Sequence, residues 1–320
     1  MDKFDTISSM LNKAVENNIV YNASYSFIKD NYIKNNYIGV YGTNNLNKVD
    51  SNSIYDLASL TKVVGTASMM LKLLDLGKIN LDDKAVKFCS NFKDENITIE
   101  ELLLHNSGLK ADLEDKTNID RNKIFDNTII NKENYHKTIY SDIGFIILGF
   151  IIENITNLNL DKAFKDYIFN SADMNNTSYY PSNKYYCIPT EITDKRGIIC
   201  GEVHDSKAYA LGEIGSAGLF STLEDLNIFV CSILKDDEKI LSHSSIKKLI
   251  DINFGDRTLG WDKRYGKYTL YHTGFTGTSI LINLNSKEAM IILTNRIHPN
   301  RNNNTYLELR EEINKIFMEE

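Results

Sequence analysis

Hydrophobic positions along the chain follow two periodicities, and each periodicity predicts one type of secondary structure. Apolar residues three and four positions apart predict helices at residues 4–14, 60–74, 143–155, 161–169, 222–234, 244–252 and 306–318. Runs rich in β-branched and aromatic residues predict strands at residues 21–29, 37–42, 268–274, 278–284 and 289–295. The polar stretches 30–36 and 43–54 are interpreted as a hairpin turn and a loop.

The order of these elements predicts how the chain is divided. Strands lie at both ends and helices lie between them, which predicts an α+β fold with one sheet built from both terminal segments. We therefore expect a discontinuous sheet domain formed by residues 1–58 and 206–320. We expect residues 59–205 to form a mainly helical domain, with the active site between the two domains.

Composition excludes several classes of partner. The chain has 320 residues, of which 42% are hydrophobic and 25% charged, a balance typical of globular proteins. Its formal net charge of −7 argues against nucleic acid and anionic membranes as partners, because both bind basic surfaces. The N-terminus lacks a secretory pattern, and the longest apolar run, residues 144–152, is far shorter than the ~20 residues of a membrane span. We therefore expect a cytoplasmic protein, monomeric by default, whose partner is a small-molecule substrate.

The four cysteines form no recognisable metal site or disulfide framework. Cys89, Cys187, Cys200 and Cys231 include no C-x-x-C pair, and none lies at ligand spacing from a histidine. The sequence also contains no H-E-x-x-H motif. We predict reduced thiols and a site that uses neither a metal nor a cofactor.

A Ser-x-x-Lys motif opens the first long apolar helix. Ser59 falls in the predicted first turn and Lys62 lies three residues later, so the amine can reach the hydroxyl. The positive end of a helix favours a developing alkoxide, and a first-turn N–H is free to donate to a substrate oxygen. The same pattern also begins at Ser26, Ser90, Ser107, Ser232, Ser244 and Ser245. Ser59 is distinguished by the buried helix that follows it and by two later motifs.

Those later motifs are Tyr140-Ser141-Asp142 and His272-Thr273-Gly274. Ser-x-x-Lys, Ser-Asp-Asn and Lys-Thr-Gly occur in this order in class A β-lactamases and penicillin-binding proteins. With a tyrosine at the head of its second motif, the sequence resembles the serine β-lactamase and penicillin-binding-protein-like family, in the branch of class C β-lactamases, DD-peptidases and family VIII esterases. The resemblance also covers residues 55–62, 76–83, 103–109, 201–205, 217–222 and 272–278.

The resemblance implies a fold and a catalytic set. The family has a β-lactamase/transpeptidase-like fold, in which helices flank a central antiparallel sheet and a mainly helical insertion borders the site. The residues that match its catalytic positions are Ser59, Lys62 and Tyr140. The backbone N–H groups of Ser59 and Phe275 match the donors of its oxyanion hole.

Four further positions match substrate-binding residues, and two of them depart from the family pattern. They are Asp142, His272, Thr273 and Gly274, the last three on an edge strand that pairs with extended substrate in the family. His272 replaces the usual lysine, so the fixed charge that attracts a substrate carboxylate is lost or depends on pH. Asp142 replaces the usual asparagine, and its anion could neutralise Lys62 or hold a substrate ammonium. Both changes argue against efficient penicillin hydrolysis.

The general base stays open between Lys62 and Tyr140. A serine hydroxyl needs a base beside it, and free lysine and tyrosine titrate near about 10, so either group must shift by about three units to act near neutral pH. A cationic Lys62 favours a phenolate, whereas desolvation favours a neutral amine, so we expect the two to act as one coupled unit. His105 and His204 are interpreted as residues that fix loops.

Taken together, the motifs predict a serine hydrolase that works through an acyl-enzyme. The expected substrates are small esters or amides, such as D-amino-acid or cell-wall-derived peptides. The alternatives are a true class C β-lactamase and a penicillin-binding sensor that is acylated without turnover. An aryl ester, nitrocefin and a fluorescent penicillin distinguish the three, because their turnover and labelling differ among them.

Overall fold

The computed structural model describes residues 2–30, 32–116 and 118–319. Its strands are β1 (Asn22–Lys29), β2 (Tyr32–Gly42), β3 (Asn45–Lys48), β4 (Tyr55–Asp56), β5 (Ile192–Thr193), β6 (Gly197–Ile198), β7 (Phe220–Ser221), β8 (Thr269–Thr273), β9 (Ser279–Asn283) and β10 (Glu288–Thr294). Its α-helices are α1 (Lys3–Glu16), α2 (Ser68–Asp75), α3 (Ile99–Leu103), α4 (Arg121–Asp126), α5 (Asp142–Thr156), α6 (Leu160–Phe164), α7 (Ser206–Leu211), α8 (Leu223–Lys235), α9 (His243–Asp251) and α10 (Thr305–Met318).

A six-stranded antiparallel sheet forms the centre of the molecule, in the order β3-β2-β1-β10-β9-β8. β1 pairs with β10, so Ala23 lies opposite Thr294 and the two terminal segments share one sheet. This confirms the predicted α+β fold with a central antiparallel sheet. β8 lies at the outer edge, which leaves one side of the His272 strand without a neighbour in the sheet.

Both faces of the sheet are covered because consecutive strand residues point to opposite sides. In β9, Leu281 packs with α1 and α10 in an apolar cluster that includes Ile7 and Phe317. Its neighbours Ile280 and Ile282 belong to the larger cluster on the other face, which contains most of the helices. That larger cluster carries the helices that border the functional site.

The polar segments near the N-terminus form more strand than the sequence suggests. The predicted turn at 30–36 is wrong beyond its first residues, because β2 already begins at Tyr32 and pairs with Lys29. The predicted loop at 43–54 contains β3, whose Lys48 pairs with Val40. These residues are exposed or half-buried at the sheet edge, so backbone pairing forms the strands without an alternation of apolar side chains.

The Ser59 segment is helical but is not a regular α-helix throughout. A 3-10 turn at Ala58–Leu60 leads into a π-helical segment at Lys62–Ala67, which continues as α2. The φ angle of Ala58 is +47°, a left-handed conformation that is rare for alanine. A Cβ on Gly65 would lie 2.4 Å from the Phe164 ring, so the π segment depends on a residue without a side chain at that position. Such widened turns are frequent at functional sites.

Local sequence features account for the start of α3 and for the burial of α5. Thr98 and Glu101 form a capping box at the start of α3, with each side chain bonded to the other residue's backbone N–H. α5 is buried almost all round, as its apolar sequence predicts. Among the residues described, no individual helix is long and apolar enough to cross a bilayer, although α5 and residues Leu160–Ala172 pass that test together as a pair bent by 74°. All four cysteines are free thiols.

The strands of the large sheet come from residues 22–48 and 269–294, and most helices lie between them in the chain. The division into domains of residues 1–58 with 206–320 and of residues 59–205 stays a prediction.

Candidate active site

Ser59 and Lys62 are brought together by the tight turn that starts the helical segment. The Lys62 Nζ donates to Ser59 Oγ at 3.1 Å and to the Ser216 carbonyl oxygen at 2.9 Å. Lys62 is completely buried, whereas Ser59 is partly exposed. The hydroxyl is therefore open to a ligand on one side and contacts an ammonium on the other.

Asp56 fixes the backbone that leads into Ser59. One oxygen of this buried carboxylate accepts from the Ala58 N–H at 2.8 Å, and the other accepts from the His204 N–H at 2.7 Å. Burial raises the pKa of Asp56, and these two backbone donors counteract that effect. The left-handed Ala58 conformation is thus held by side-chain bonds. His204 fixes a loop, in agreement with its sequence interpretation.

The second motif is positioned by the N-terminus of α5. The Ser141 hydroxyl caps the helix by accepting from the Gly144 N–H at 3.1 Å, and the Ser141 N–H donates to His105 Nδ1 at 3.0 Å. The His105 ring lies 4.7 Å from the Tyr140 ring and 4.9 Å from the Phe145 ring. Burial holds the pKa of His105 well below its usual value, so its ring is neutral and packs like an aromatic side chain. Tyr140 is therefore supported by a rigid neighbour.

Lys62 adjoins both Tyr140 and Asp142. Its Nζ lies 4.8 Å from the centre of the Tyr140 ring and 2.7 Å from Asp142 Oδ1. The contact with Asp142 is a close ion pair whose angles fall outside hydrogen-bond geometry. The three residues assigned to catalysis from the sequence, Ser59, Lys62 and Tyr140, are thus brought to one point.

The charge of Lys62 follows from these contacts. Burial alone would lower the pKa of Lys62, but the Asp142 carboxylate and the Tyr140 phenol outweigh it and raise the pKa. Burial would likewise raise the pKa of Asp142, but the Lys62 and Lys207 ammonium groups lower it to about 2. At neutral pH, the pair is therefore Lys62 ammonium and Asp142 carboxylate.

Each carboxylate oxygen of Asp142 contacts the ammonium group of a different lysine. While Oδ1 faces Lys62, Oδ2 lies 3.1 Å from the Nζ of Lys207, a buried lysine at the start of α7. Of the two possibilities left by the sequence, this geometry favours neutralisation of Lys62 over capture of a substrate ammonium. The sequence alone did not identify Lys207 as a site residue, although it lies two positions after Asp205, which ends the run 201–205 that supports the resemblance.

The third motif lies at the end of the edge strand β8, and the turn after it is bonded to the backbone that precedes Ser59. After Gly274, Thr276 Oγ1 donates to the Asp56 carbonyl at 2.8 Å, and Thr278 Oγ1 donates to the Leu57 carbonyl at 3.1 Å. A Cβ on Gly274 would lie 2.4 Å from the Leu57 oxygen. Glycine is therefore required here by packing within the protein, and its contact with substrate, like that of Thr273, stays a prediction.

Two backbone N–H groups are free to form the predicted oxyanion hole. Among the residues described, neither the Ser59 N–H nor the Phe275 N–H donates to a protein acceptor. The Phe275 ring is 45% exposed and stacks on His204 with the ring centres 5.6 Å apart. The turn that carries Phe275 is thus fixed to the segment that carries Ser59, and both donors remain available.

His272 does not supply a positive charge. It is buried, and burial together with the nearby Lys62 and Arg257 charges holds its pKa well below the usual value. Its Nδ1 lies 3.1 Å from the Thr273 carbonyl oxygen, which favours a neutral ring protonated at Nδ1. Of the two possibilities left by the sequence, the structure favours loss of the charge over a charge that depends on pH near neutrality.

Arg257 is a second residue that the sequence reasoning missed. Its guanidinium carbon lies 5.5 Å from the centre of the Tyr140 ring, and one nitrogen lies 3.4 Å from Asp262 Oδ2. Together with Tyr140, His272 and Thr273, it lines a cavity of about 220 Å³. No motif marks Arg257, because it lies in an irregular segment between α9 and β8. It places a cation beside the neutral His272.

Comparison with known sequences agrees with the three motifs. The β-lactamase family profile matches residues 15–315. A protein of Salmonella gallinarum described as "Putative D-alanyl-D-alanine carboxypeptidase" is 30% identical over 310 aligned positions, which cover 78% of this chain and 71% of that protein. A protein of Salmonella newport with the same description has the same identity and the same coverage.

Solved structures share the fold at low sequence identity. A β-lactamase/D-alanine carboxypeptidase from Pseudomonas syringae has a TM-score of 0.77 at 15% identity, with 98% of each chain covered. EstCE1, a hydrolase with promiscuous acyltransferase activity, has a TM-score of 0.78 at 14% identity, with 97% of this chain and 98% of its own covered. An octameric penicillin-binding protein homologue from Pyrococcus abyssi has a TM-score of 0.75 at 21% identity, with 92% of this chain and 74% of its own covered.

Proposed function

Because this chain belongs to the β-lactamase family and is a serine hydrolase, we propose that it is acylated at Ser59 and releases the C-terminal D-amino acid of small peptides. The observation that carries this proposal is the position of Lys62, whose Nζ donates to Ser59 Oγ at 3.1 Å and lies 4.8 Å from the Tyr140 ring. A nucleophile and a base candidate thus adjoin one ammonium. The curated relatives described as carboxypeptidases support the substrate class.

Tyr140 is the general base in this proposal. A raised pKa keeps Lys62 protonated, so the amine has no free electron pair with which to accept the Ser59 proton. The Tyr140 oxygen takes that proton while Ser59 Oγ attacks the carbonyl carbon. Tyr140 then gives the proton to the leaving amine as the C–N bond breaks. In the second half-reaction, Tyr140 removes a proton from the water that attacks the acyl-enzyme and returns it to Ser59 Oγ as the ester bond breaks.

The negative charge on the carbonyl oxygen has two donors in the proposed site. The N–H groups of Ser59 and Phe275 lie on two segments that the Thr278–Leu57 hydrogen bond joins. Within the described residues, neither N–H group donates to a protein acceptor. Fixed donors of this kind stabilise the tetrahedral intermediate without reorganising during the reaction. Lys62 adds an ammonium beside the attacking oxygen.

Arg257 provides a cation near the site for the free carboxylate of the leaving residue. Asp142 would repel such a group if its charge were free, but Lys62 and Lys207 neutralise it. Arg257 lines the cavity next to Tyr140, His272 and Thr273, and a guanidinium binds a carboxylate through two parallel N–H bonds. On the outer edge of β8, Tyr271 already exchanges two backbone hydrogen bonds with Asp262, so an extended peptide would pair with the end of the strand, at Thr273. These features support a peptide that ends in a carboxylate.

Ester hydrolysis is the second candidate. Since His272 is neutral, the motif that usually provides a fixed cation imposes no requirement for an acidic substrate. A neutral aryl ester can therefore acylate Ser59 with the same base and the same oxyanion donors.

Adduct mapping and product release test the proposal. A fluorescent penicillin should label the wild type on the peptide that contains Ser59, and an acylated Lys-D-Ala-D-Ala peptide should release D-alanine. Ser59→Ala should abolish both signals. Ser244→Ala is the matched control, because Ser244 also begins a Ser-x-x-Lys pattern but is exposed on α9, where it bonds to Lys248.

The outcomes separate the candidates. D-alanine release that exceeds ester turnover supports the carboxypeptidase, and ester turnover without D-alanine release supports the esterase. Rapid turnover of nitrocefin instead favours a β-lactamase, and stable labelling without turnover favours a sensor. An adduct on a residue other than Ser59, or full activity in Ser59→Ala, would overturn the assignment of the nucleophile.

A further inference from the structure

Lys207 is a buried lysine that the proposed mechanism does not use. Its side chain is only 2% exposed, and its Nζ lies 3.0 Å from Asp112, 3.1 Å from Asp142 and 3.3 Å from Asp205. Burial of an ammonium is costly unless carboxylates surround it, and here three do. Of these three, Asp142 connects Lys207 directly to the Lys62 ammonium.

We propose that Lys207 is a positioning residue that offsets the charge of Asp142 and so holds Lys62 against Ser59. The inference rests on the proposed function, in which Lys62 lies between Ser59 and Tyr140. Lys62 and Lys207 contact different oxygens of the same carboxylate, so Asp142 is fixed between two cations. In the family pattern this position is an asparagine, which is neutral and needs no second cation.

The argument depends on the balance of charge at Lys62. With both lysines present, the Asp142 anion is shared, and Lys62 can keep its bonds to Ser59 and to the Ser216 carbonyl. Without Lys207, the whole attraction of a buried anion would fall on Lys62. Coulomb attraction grows in a buried site, so Lys62 would move toward Asp142 and away from the nucleophile. The acid at 142 and the lysine at 207 therefore form one functional pair.

The charged groups around this pair come from several elements. Lys207 faces Asp205, which caps α7, and Asp112, which also pairs with Lys116 at 2.6 Å. Asp142 faces Lys62, which lies on the π-helical segment. The Tyr140 ring lies beside the same Lys62 ammonium. The neutral rings of His105 and His272 and the cation of Arg257 complete the surroundings within the described residues.

The effect of removing Lys207 has a definite sign. The Asp142 pKa is about 2 because two cations outweigh its burial, so loss of one cation raises that pKa. Asp142 then takes up a proton as the pH falls, and its neutral carboxyl group, like an asparagine amide, no longer draws Lys62 away from Ser59. The rate deficit caused by loss of Lys207 should therefore become smaller as the pH falls.

The experiment measures the rate of Ser59 acylation against pH in purified full-length variants. Lys207→Met should lower the rate at pH 7 about tenfold or more, and this deficit should become smaller as the pH is lowered. Asp142→Asn in the Lys207→Met background should recover most of the rate at pH 7, because a neutral amide needs no counter-ion, and should remove the pH dependence of the deficit. Lys207→Arg keeps the charge and should keep the rate of the wild type at every pH measured.

A matched control separates the electrostatic effect from the cost of removing a buried lysine. Lys263 is also buried, but it donates to the Leu249 and Ile250 carbonyls instead of pairing with the Asp142 cluster. Lys263→Met should lower the thermal midpoint without causing a rate deficit that depends on pH.

Three results would overturn the inference. One is a Lys207→Met variant with the rate of the wild type at pH 7, and another is a double variant whose rate loss equals the product of the losses in the two single variants. The third is a rate deficit that depends on pH in Lys207→Arg, which stays decisive even if Lys207→Met does not fold. Failure of the proposed function looks different, because the wild type would then show no adduct on Ser59.

Discussion

The Thr278 hydroxyl donates to the Leu57 carbonyl oxygen at 3.1 Å, and this bond fixes the turn between β8 and β9 to the backbone just before Ser59. The two proposed oxyanion donors, Ser59 and Phe275, lie on the two segments that the bond joins. This bond, together with that from Thr276 Oγ1 to the Asp56 carbonyl oxygen, therefore helps to set the distance between these donors, although neither donor takes part in it.

Thr278→Val should weaken catalysis without greatly changing the affinity for substrate. Valine keeps the shape of threonine but removes the donor, so the Phe275 N–H is no longer held at a fixed distance from Ser59. We expect kcat to fall about tenfold with little change in KM, because oxyanion bonds strengthen in the transition state. Steady-state kinetics with an aryl ester measure this. Thr269→Val is the control, since Thr269 is also buried, at the start of the adjoining strand β8, but donates to the Gly266 carbonyl oxygen.

Tyr140→Phe should stop acylation while leaving the fold intact. The ring keeps its packing against His105, so thermal stability should change little. Loss of a general base commonly costs about 10²–10⁴ in rate, and we expect a loss in that range in stopped-flow labelling with a fluorescent penicillin. Tyr268→Phe removes a hydroxyl from an exposed ring and should have no effect. Near-normal acylation by Tyr140→Phe would refute Tyr140 as the base.

Arg257→Met should discriminate between substrates. If the guanidinium binds the terminal carboxylate, a peptide that ends in D-alanine should lose about tenfold or more in kcat/KM, whereas its C-terminal amide and a neutral aryl ester should not. Arg264→Met is the comparison, because Arg264 lines the same cavity but bonds tightly to Asp262 through two nitrogens. Equal losses with acid and amide would contradict recognition of the carboxylate.

Stability should decrease as the solution becomes mildly acidic. Burial lowers the pKa of His272 in the folded state, so below its unfolded pKa of about 6.5 only the unfolded chain takes up the proton. This contribution is complete above the unfolded pKa and is lost progressively as the pH falls, at about 1.4 kcal/mol per pH unit. Urea unfolding between pH 7 and pH 5 should show a shallower decline for His272→Asn than for the wild type. Parallel curves would show that the folded His272 accepts the proton as readily as the unfolded chain.

The elements with a strong local signal were predictable from the sequence. The capping box at Thr98 and Glu101, the buried helix after Ser141 and the strands of the C-terminal meander have periodicities or end signals that depend only on neighbouring residues. The contact between Ser59 and Lys62 was predictable from their spacing on a helix, whereas the approach of Tyr140, which lies far along the chain, was predictable only through the family resemblance. Their roles stay predictions that the experiments above test.

Other features could not be predicted because tertiary contacts decide them. β2 begins in a polar stretch because β1 offers it backbone partners, and an exposed strand needs no apolar alternation. The close packing of the Phe164 ring on Gly65, within the π-helical turn after Ser59, is a tertiary contact that no local pattern reveals. Lys207 and Arg257 each look like an ordinary surface cation in the sequence, and only their burial and neighbours show that they surround the site.

The pairing of β1 with β10 has a consequence for biosynthesis. Ala23 cannot pair with Thr294 until the ribosome has made the segment that contains Thr294, so the sheet cannot close before that point. Until then, the apolar residues of β1 have no partner strand on that side and would need protection from aggregation. The nucleophile would likewise remain without its oxyanion turn until the residues between β8 and β9 have been made.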